Sequence, residues 1–366
     1  MVSFGNAGNV DRRAQCGRVG LATTLERTAQ ARAAGSRLRQ LILLGSLALA
    51  SALPLAAQAK TYVVNAVTSA TVNASGCGAG NSGTCTLGNA ILALNADADS
   101  SVAARIEFDA GLFSSPQTIA VSQLAPRYSV DIAGPGAHLL TLRGSSSQTM
   151  FVMNAGQGAS GTGSTLEVRL AGLRISGARQ GINSAAKLTV DSCWIDGNTN
   201  TSTSNGGGIL NRGSLSLLNS TVANNTASNA SFGYGGGIQN DPTATALLIH
   251  NSTIANNRAI RGGGINSSSG GSVVIHNSTI SANLATTGFG GGFYKEGSSA
   301  PLVVNSIIRG NTAPSNSYPD VVGGASFLVQ NSLVNTVRLE DAVQVSMATL
   351  GAYGGTMPTM PPLAGS

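Results

Sequence analysis

Apolar and polar residues alternate in register with a repeat that runs along most of the chain. The repeats align on start positions 172, 192, 219, 251, 277, 305 and 331, and the steps between these starts are unequal. Apolar residues then recur four before, two before and three after each start, and the two-residue spacing predicts β-strands with one buried face. The third column contains Ile175, Ile195, Val222, Ile254, Ile280, Ile308 and Val334.

Because the same columns recur in every repeat, like side chains should stack on one another from one repeat to the next. That arrangement is typical of a parallel β-solenoid, in which a single coil cannot bury its own apolar face. The sequence therefore predicts an all-β solenoid whose coils are separated by roughly 4.8 Å, the distance between paired strands.

Two polar motifs mark the corners of the predicted coils. The segment Asn219-Ser-Thr-Val-Ala-Asn-Asn225 recurs with small changes, and a Gly-Gly-Gly-Ile or Gly-Gly-Gly-Phe unit alternates with it. Glycine permits positive φ and close backbone approach, and asparagine tolerates the left-handed region. The first asparagine of each motif is expected to form a hydrogen-bonded ladder at one corner, and Asn225 begins a second column. The predicted ladder contains Asn219, Asn251, Asn277, Asn305 and Asn331.

A short amphipathic helix is expected ahead of the repeats. Leu87, Ile91 and Leu94 lie at spacings of four and three, which places them on one helical face. Cys77 and Cys85 close a glycine-rich loop just before it, and an oxidising compartment favours a disulfide between them. Because an open terminal coil offers strand edges to other chains, the helix and this disulfide are predicted to cap the N-terminal end.

The charged residues are most unevenly distributed at the N-terminus, and there they indicate a separate segment. The chain has a net charge of +6, but the segment 1–59 holds seven arginines against two acidic side chains. An apolar run over residues 41–55 and the segment Ala57-Gln58-Ala59 follow, which is typical of a secretory signal peptide cleaved after Ala59. The run is short for a membrane anchor of roughly 20 residues, which is the alternative interpretation.

Removal of that segment takes away seven of 21 basic and two of 15 acidic residues, which leaves a net charge of +1 from Lys60 onward. No basic cluster remains there to bind a phosphate backbone. The sequence therefore predicts no nucleic-acid partner.

Several segments resemble known exported repeat proteins. The segment Cys85-Thr-Leu-Gly-Asn-Ala90 is similar to the CSLREA-type segment that opens many bacterial β-helix proteins, with Gly88-Asn89 replacing the usual Arg-Glu pair. The Gly-Gly-Gly-Ile and Asn-Ser-Thr-Ile units resemble repeats of right-handed parallel β-helix proteins, including polymorphic outer-membrane proteins and autotransporter passengers. The resemblance covers roughly residues 61–366. It implies a single-stranded right-handed parallel β-helix that is secreted or displayed on the outer-membrane surface of a bacterium, but it does not imply an activity.

These patterns divide the chain into four parts. They are a signal peptide with a long basic segment (1–59), an N-terminal cap (60–110), a parallel β-helix (111–340) and an irregular C-terminal tail (341–366). The tail resembles one that normally continues further, so we expect either truncation after Ser366 or the loss of an anchoring segment. No transmembrane span is expected in the mature chain, and the oligomeric state stays open.

Acidic residues are scarce in the repeats, which weakens an enzymatic interpretation. Glycosidases need two carboxylates that flank the scissile bond, and lyases of the pectate type need an acidic calcium cluster and a base. Asp191 and Asp196 share one coil and are the candidate catalytic pair, but the neighbouring coils supply no equivalent acids.

Four other side chains are candidates for chemistry. Trp194 is the only tryptophan and should point outward, where it either stacks on a sugar ring or packs beneath a loop. His250 and His276 should stack on adjacent coils, but a two-histidine pair without a third ligand is a poor metal site. Cys193 is expected to be a small buried residue instead of a nucleophile. No metal ion and no other cofactor is predicted.

The sequence therefore predicts an exported, non-catalytic β-helix protein for cell-surface display, adhesion or glycan binding. Its expected partner is an extracellular glycan or a host or cell surface. The alternative is a polysaccharide lyase or glycoside hydrolase that acts on an extracellular glycan. The low charged fraction, 10% of residues, favours the non-catalytic hypothesis.

Overall fold

A computed structural model describes residues 60–68, 74, 76–78, 83–97, 104–154, 166–296, 299–314, 318–323, 327–334, 348–351 and 356–362. The predicted signal peptide and the predicted truncation point at Ser366 lie outside the described residues. Within this part of the chain, no helix has the length and apolar character needed to cross a membrane.

The described elements are almost all short strands. In chain order they are β1 (Thr61–Val64), α1 (Leu87–Ala96), β2 (Ala104–Phe108), β3 (Gln117–Ala120), β4 (Val130–Ala133), β5 (Leu140–Arg143), β6 (Thr149–Met153), β7 (Glu167–Ala171), β8 (Arg174–Ser176), β9 (Gln180–Ser184), β10 (Lys187–Asp191), β11 (Trp194–Asp196), β12 (Thr199–Asn200), β13 (Ile209–Asn211), β14 (Ser214–Leu218), β15 (Thr221–Ala223), β16 (Thr226–Ala227), β17 (Ile238–Asn240), β18 (Ala246–His250), β19 (Thr253–Ala255), β20 (Arg258–Ala259), β21 (Ile265–Ser267), β22 (Ser272–His276), β23 (Thr279–Ser281), β24 (Leu284–Ala285), β25 (Phe293–Lys295), β26 (Leu302–Val304), β27 (Ile307–Ile308), β28 (Val321–Gly323), β29 (Leu328–Gln330) and β30 (Leu333–Val334).

The strands form four parallel sheets that wind into a right-handed parallel β-helix, as predicted. Sheet A has the order β1-β2-β4-β7-β10-β14-β18-β22-β26-β29, and sheet B has the order β3-β5-β8-β11-β15-β19-β23-β27-β30. Sheet C has the order β28-β25-β21-β17-β13-β9-β6, and the short sheet D has the order β12-β16-β20-β24. Each middle coil therefore runs through sheets A, B, D and C before the next coil begins.

The strand register matches the apolar columns predicted from the sequence. Leu188 lies opposite Leu215 in sheet A, and Ile195 lies opposite Val222 in sheet B. These inward side chains are buried and form one continuous core along the axis of the solenoid. At about 25 cal/mol per Å² of apolar surface removed from water, this stacking is the main force that holds coil to coil.

Each position of the Asn219–Asn225 motif has a defined structural role. Asn219 and Asn224 adopt positive φ, at 47° and 57°, and turn the chain at the two ends of β15. Between them Val222 points into the core, and Asn225 turns its side chain into the interior, where it is fully buried. The asparagines of the predicted ladder all turn the chain in the same way as Asn219. Its members Asn219, Asn251, Asn277, Asn305 and Asn331 all have φ between 46° and 49°.

Side-chain bonding is more extensive in the second asparagine column than in the first. In the first column Asn251 Nδ2 donates to Asn219 Oδ1 at 2.8 Å, and both residues are exposed. The second column forms a buried ladder in which Asn225 Nδ2 donates to Asn257 Oδ1 at 3.0 Å. The ladder continues in both directions, so a polar stripe runs through the core with its hydrogen-bonding groups satisfied. Its members are Asn198, Asn225, Asn257, Asn283, Asn311 and, at its end, Asp320.

The glycine triplets allow one corner to pack directly against neighbouring backbone. Gly235 has φ of +66°, and a Cβ on Gly236 would lie 2.4 Å from the carbonyl oxygen of Arg258. Any side chain at Gly236 would therefore collide with the following coil, which explains why the triplet recurs at each equivalent corner.

The N-terminal end is covered by α1, as expected for a capping helix. Thr86 accepts a hydrogen bond from the backbone N–H of Asn89, which satisfies one free donor of the first helical turn. Leu87, Ile91 and Leu94 are buried against the core. The segment 60–110 also supplies β1 and β2, so sheet A begins within the region assigned to the cap.

Candidate functional site

The two candidate catalytic aspartates lie in different sheets, because Ser192 turns the chain between them with φ of 53°. Asp191 accepts hydrogen bonds from Arg169 at 2.8 Å and from Asn219 at 3.0 Å. Burial acts to raise the pKa of Asp191, but these hydrogen bonds outweigh it and lower the pKa below its ordinary value. An acid that protonates a leaving group needs the opposite shift.

Asp196 is occupied by a bidentate ion pair. Arg174 donates from Nε at 2.8 Å and from Nη2 at 2.7 Å to the two carboxylate oxygens. The side chain of Asp196 is only 8% exposed. Since both oxygens are engaged and shielded, this carboxylate lies in a structural ion pair, with no free oxygen facing an open cleft.

Trp194 shares this cluster. The guanidinium carbon of Arg174 lies 3.9 Å from the centroid of the indole ring, so a cation covers one aromatic face. The indole Nε1 is buried and has no hydrogen-bond partner. Trp194 is therefore half-buried beneath its neighbour and does not offer both faces to a sugar.

C-terminal residues cover the adjacent part of sheet B. Trp194 lies beside Thr221 in the strand register, as the repeat alignment predicts. Thr221 points outward but is buried, and its hydroxyl donates to the carbonyl oxygen of Pro358 at 2.6 Å. Gly351 and Thr359 form an antiparallel bridge in the same tail. The C-terminal tail therefore covers the outward side of sheet B at Thr221.

The cysteines fall into two classes. Cys77 and Cys85 are joined by a disulfide that closes the loop before α1. Cys193 is fully buried, and burial raises the pKa of its thiol to about 12. A thiol in that environment stays protonated and is a poor nucleophile.

Within the described ranges, no three His, Cys, Asp or Glu side chains converge to hold a metal ion. His250 and His276 lie on adjacent strands with their rings stacked, which confirms the predicted juxtaposition. A shallow groove between α1 and the first coil is lined by Ile91, Leu92, Val121 and Arg127. It brings no carboxylate pair together.

The most distinctive exposed surface lies at the corner between sheets D and C. One column there contains Tyr234, Arg261 and Phe289, each directly before the first glycine of its triplet, and Tyr318 at the equivalent position of the next coil. The backbone places them in register: Gly235 donates to the Arg261 carbonyl, Gly262 to that of Phe289, and Gly290 to that of Tyr318, each at 3.1 Å. Their spacing along the axis is therefore the strand separation of roughly 4.8 Å.

In this column Phe289 and Tyr318 project into solvent, whereas Tyr234 and Arg261 are half-buried. Phe289 is 41% exposed and Tyr318 is 46% exposed, and Phe232, two residues before Tyr234, is 47% exposed. Tyr294 extends the group, because its ring centroid lies 6.1 Å from that of Phe289. We call this set the aromatic edge. It comprises Phe232, Tyr234, Arg261, Phe289, Tyr294 and Tyr318.

Arg261 supplies the charge of the aromatic edge. Its guanidinium carbon lies 5.5 Å from the ring centroid of Tyr234. The contact holds the guanidinium over the ring while its N–H groups stay available to an anionic group. A surface of this kind offers aromatic faces and one cation along a straight line.

Alignment on the asparagine motif does not detect the aromatic edge. Tyr234, Arg261 and Phe289 lie at three different offsets from their repeat starts at 219, 251 and 277, because the loops between the corners differ in length. Alignment on the glycine triplets places all three at the position just before the first glycine. The glycine motif therefore contained the sequence pattern that identifies this column.

Comparison of the chain with protein-family models, with curated proteins and with solved structures finds no match in any of the three.

Proposed function

We propose that this protein is an exported, non-catalytic β-helix that binds an extended extracellular glycan along its aromatic edge. The observation that carries the proposal is the placement of Phe289 and Tyr318 side by side in one exposed column, on adjacent coils. Adhesion or display at a cell surface is the biological setting that such binding supports.

Aromatic rings and pyranose rings are complementary because the C–H groups on a sugar face are weakly positive and the aromatic face is negative. In an extended chain of equatorially linked pyranoses, the distance between successive sugars is of the same order as the separation between paired strands, which is roughly 4.8 Å. A solenoid that presents one side chain per coil therefore matches the repeat of the glycan. Tyrosine adds a hydroxyl that hydrogen-bonds to sugar hydroxyls while its ring stays in contact.

Arg261 favours a glycan that carries carboxylate groups. A guanidinium binds a planar carboxylate with two parallel hydrogen bonds. Because Arg261 lies next to Phe289 in the column, a uronate bound to Arg261 would lie beside a sugar stacked on the exposed Phe289 ring. The proposed ligand class is an extended polysaccharide containing uronic acids.

The environment of the candidate aspartates supports a non-catalytic role. Asp191 and Asp196 are each paired with an arginine, and the pKa of Asp191 is lowered. Neither aspartate belongs to the aromatic edge. A glycan bound there would therefore not have these two carboxylates on either side of its linkage.

Export is supported by two independent features. The disulfide of Cys77 and Cys85 is stable in an oxidising compartment, and the segment 1–59 has the pattern of a secretory signal peptide. A secreted or outer-membrane-surface location of a bacterial protein is part of the proposal.

Binding is tested by titrating the purified protein with oligosaccharides that differ only in acidic content. We expect uronate-containing oligomers to bind and the matched neutral oligomers to bind more weakly. Phe289→Ala and Tyr318→Ala should each weaken binding about fivefold, because one aromatic contact contributes about 1 kcal/mol. Leu328→Ala removes an exposed apolar side chain from sheet A and serves as the matched control.

The same titration distinguishes the alternatives. Equal binding by the wild type and by Phe289→Ala with Tyr318→Ala combined would refute a role for the aromatic edge. Cleavage of any oligosaccharide, lost on Asp191→Ala or Asp196→Ala, would instead establish the lyase or hydrolase alternative.

A further inference from the structure

His250 and His276 form a pair whose geometry is separate from the aromatic edge. They lie at the ends of β18 and β22 and face one another in the register of sheet A. Their ring centroids are 5.1 Å apart, with 15° between the ring planes. The two Nδ1 atoms are the closest polar atoms of the pair, at 3.1 Å.

The surroundings of the pair are uncharged. In the same outward column Leu218 precedes His250 and Val304 follows His276, so hydrocarbon side chains lie on both sides. Asp191 is the nearest acid in this column and is separated from His250 by Leu218. Partial burial and repulsion by His276 lower the pKa of His250. A lower pKa of His250 favours its neutral imidazole, which is the form that binds a metal ion.

We propose that His250 and His276 bind one divalent transition-metal ion through their Nδ1 atoms, with Cu²⁺ bound most tightly. Nitrogen–metal bonds of roughly 2.0–2.1 Å across a 3.1 Å separation give an angle of about 100° at the metal, between square-planar and tetrahedral values. The strand register places both ligands side by side, and each ring turns on binding so that its Nδ1 lone pair points at the metal, because the two ring planes are within 15° of parallel.

The chemistry of the pair determines which metal is preferred. Imidazole suits Zn²⁺, Ni²⁺ and Cu²⁺, and affinities at a given nitrogen site rise to a maximum at Cu²⁺. The imidazole that donates its Nδ1 proton to the other moves that proton to Nε2 when the metal binds. Water completes the coordination, since the chain offers two nitrogen ligands on an exposed sheet face.

The chain provides its own internal control, because it contains three histidines and the third, His138, is exposed in a different coil. With ¹³C-labelled histidine in the full chain, substoichiometric Cu²⁺ at pH 7.5 should broaden two of the three ring signals first. Titration calorimetry should give one equivalent bound. His250→Ala and His276→Ala should each weaken binding at least about tenfold, and His138→Ala should leave binding unchanged.

Equal broadening of all three ring signals would overturn the proposal, and it needs no variant that must fold. Unchanged Cu²⁺ affinity in His250→Ala with His276→Ala combined would overturn it as well. If His138→Ala abolished binding of the one Cu²⁺ equivalent, the ion would bind at a different site, and the proposed His250–His276 site would be refuted.

Discussion

Asp320 ends the buried asparagine ladder by occupying the place of the next asparagine. Its Oδ1 accepts hydrogen bonds from both the backbone N–H and the side-chain Nδ2 of Asn311, each at 2.9 Å. Both Asn311 groups lie in the interior, so their partner must come from the last coils. A ladder that satisfies each member from the following coil needs such a terminal acceptor.

Replacing this acceptor should destabilise the C-terminal coils. Asp320→Ala leaves the buried backbone N–H of Asn311 without a partner and leaves Asn311 Nδ2 with only the Ile280 carbonyl, which we expect to cost about 2–3 kcal/mol in the free energy of unfolding. Asp320→Asn keeps an oxygen at the same position and should retain most of that stability. Urea unfolding of the two variants tests this, and equal loss in both would show that charge, not the acceptor, is the essential property.

The two asparagine columns should respond differently to substitution. Asn257→Ala removes a link from the buried ladder, leaves the backbone N–H of Asn225 unpaired and leaves Asn225 Nδ2 with only the Ile195 carbonyl, at a cost of about 2–3 kcal/mol. Asn251→Gly keeps the positive φ of the corner and removes one exposed hydrogen bond, so it should cost under about 1 kcal/mol. Thermal unfolding of both variants checks the order, and a larger loss for Asn251→Gly would contradict it.

The N-terminal disulfide should stabilise the fold by limiting the unfolded chain. A loop with a sequence separation of 8 between Cys77 and Cys85 predicts about 2–3 kcal/mol in the chain-entropy model. The double variant Cys77→Ala, Cys85→Ala should therefore melt at a lower temperature than the oxidised protein. Reduction of the wild type should lower its melting temperature similarly, and dithiothreitol should leave the double variant unaffected.

The ion pair of Asp191 should contribute stability that depends on pH. The pKa of Asp191 is lower in the folded chain than in the unfolded chain, so the contribution is complete above the unfolded value of about 3.9. It is lost as the pH falls from there through the lower folded value. The wild type should therefore lose stability below about pH 4 more steeply than Asp191→Asn. Parallel acid-unfolding curves would contradict the assignment.

Much of the fold follows from the sequence because, in a solenoid, equivalent residues of successive repeats lie opposite one another in the sheets. Each residue of β14 lies opposite the equivalent residue of β18, so aligning the repeats also aligned the strands, and Leu217 falls opposite Ile249. The positions of the corners follow as well, since positive φ selects asparagine and glycine. The sequence did not distinguish which asparagine column turns inward, because both columns share the residue type and the spacing.

The candidate site depended on contacts that no local pattern specifies. Arg174 and Asp196 meet across one coil, and Thr221 bonds to Pro358 although 137 residues separate them. Alignment on the asparagine motif did not reveal the aromatic edge, because the loop before each glycine triplet varies in length. Its residues therefore occupy equivalent positions in the structure at different distances from their repeat starts.

By itself, the sequence determined the repeat, the inward columns and the corner residues, since these depend on periodicity and on backbone preferences within single coils. Only the tertiary structure decided which polar groups have hydrogen-bond partners, which part of the surface the C-terminal residues cover and which aromatic rings are exposed to solvent. Those properties depend on how loops of unequal length return to a common register, and burial and hydrogen bonding are set by neighbours from other coils.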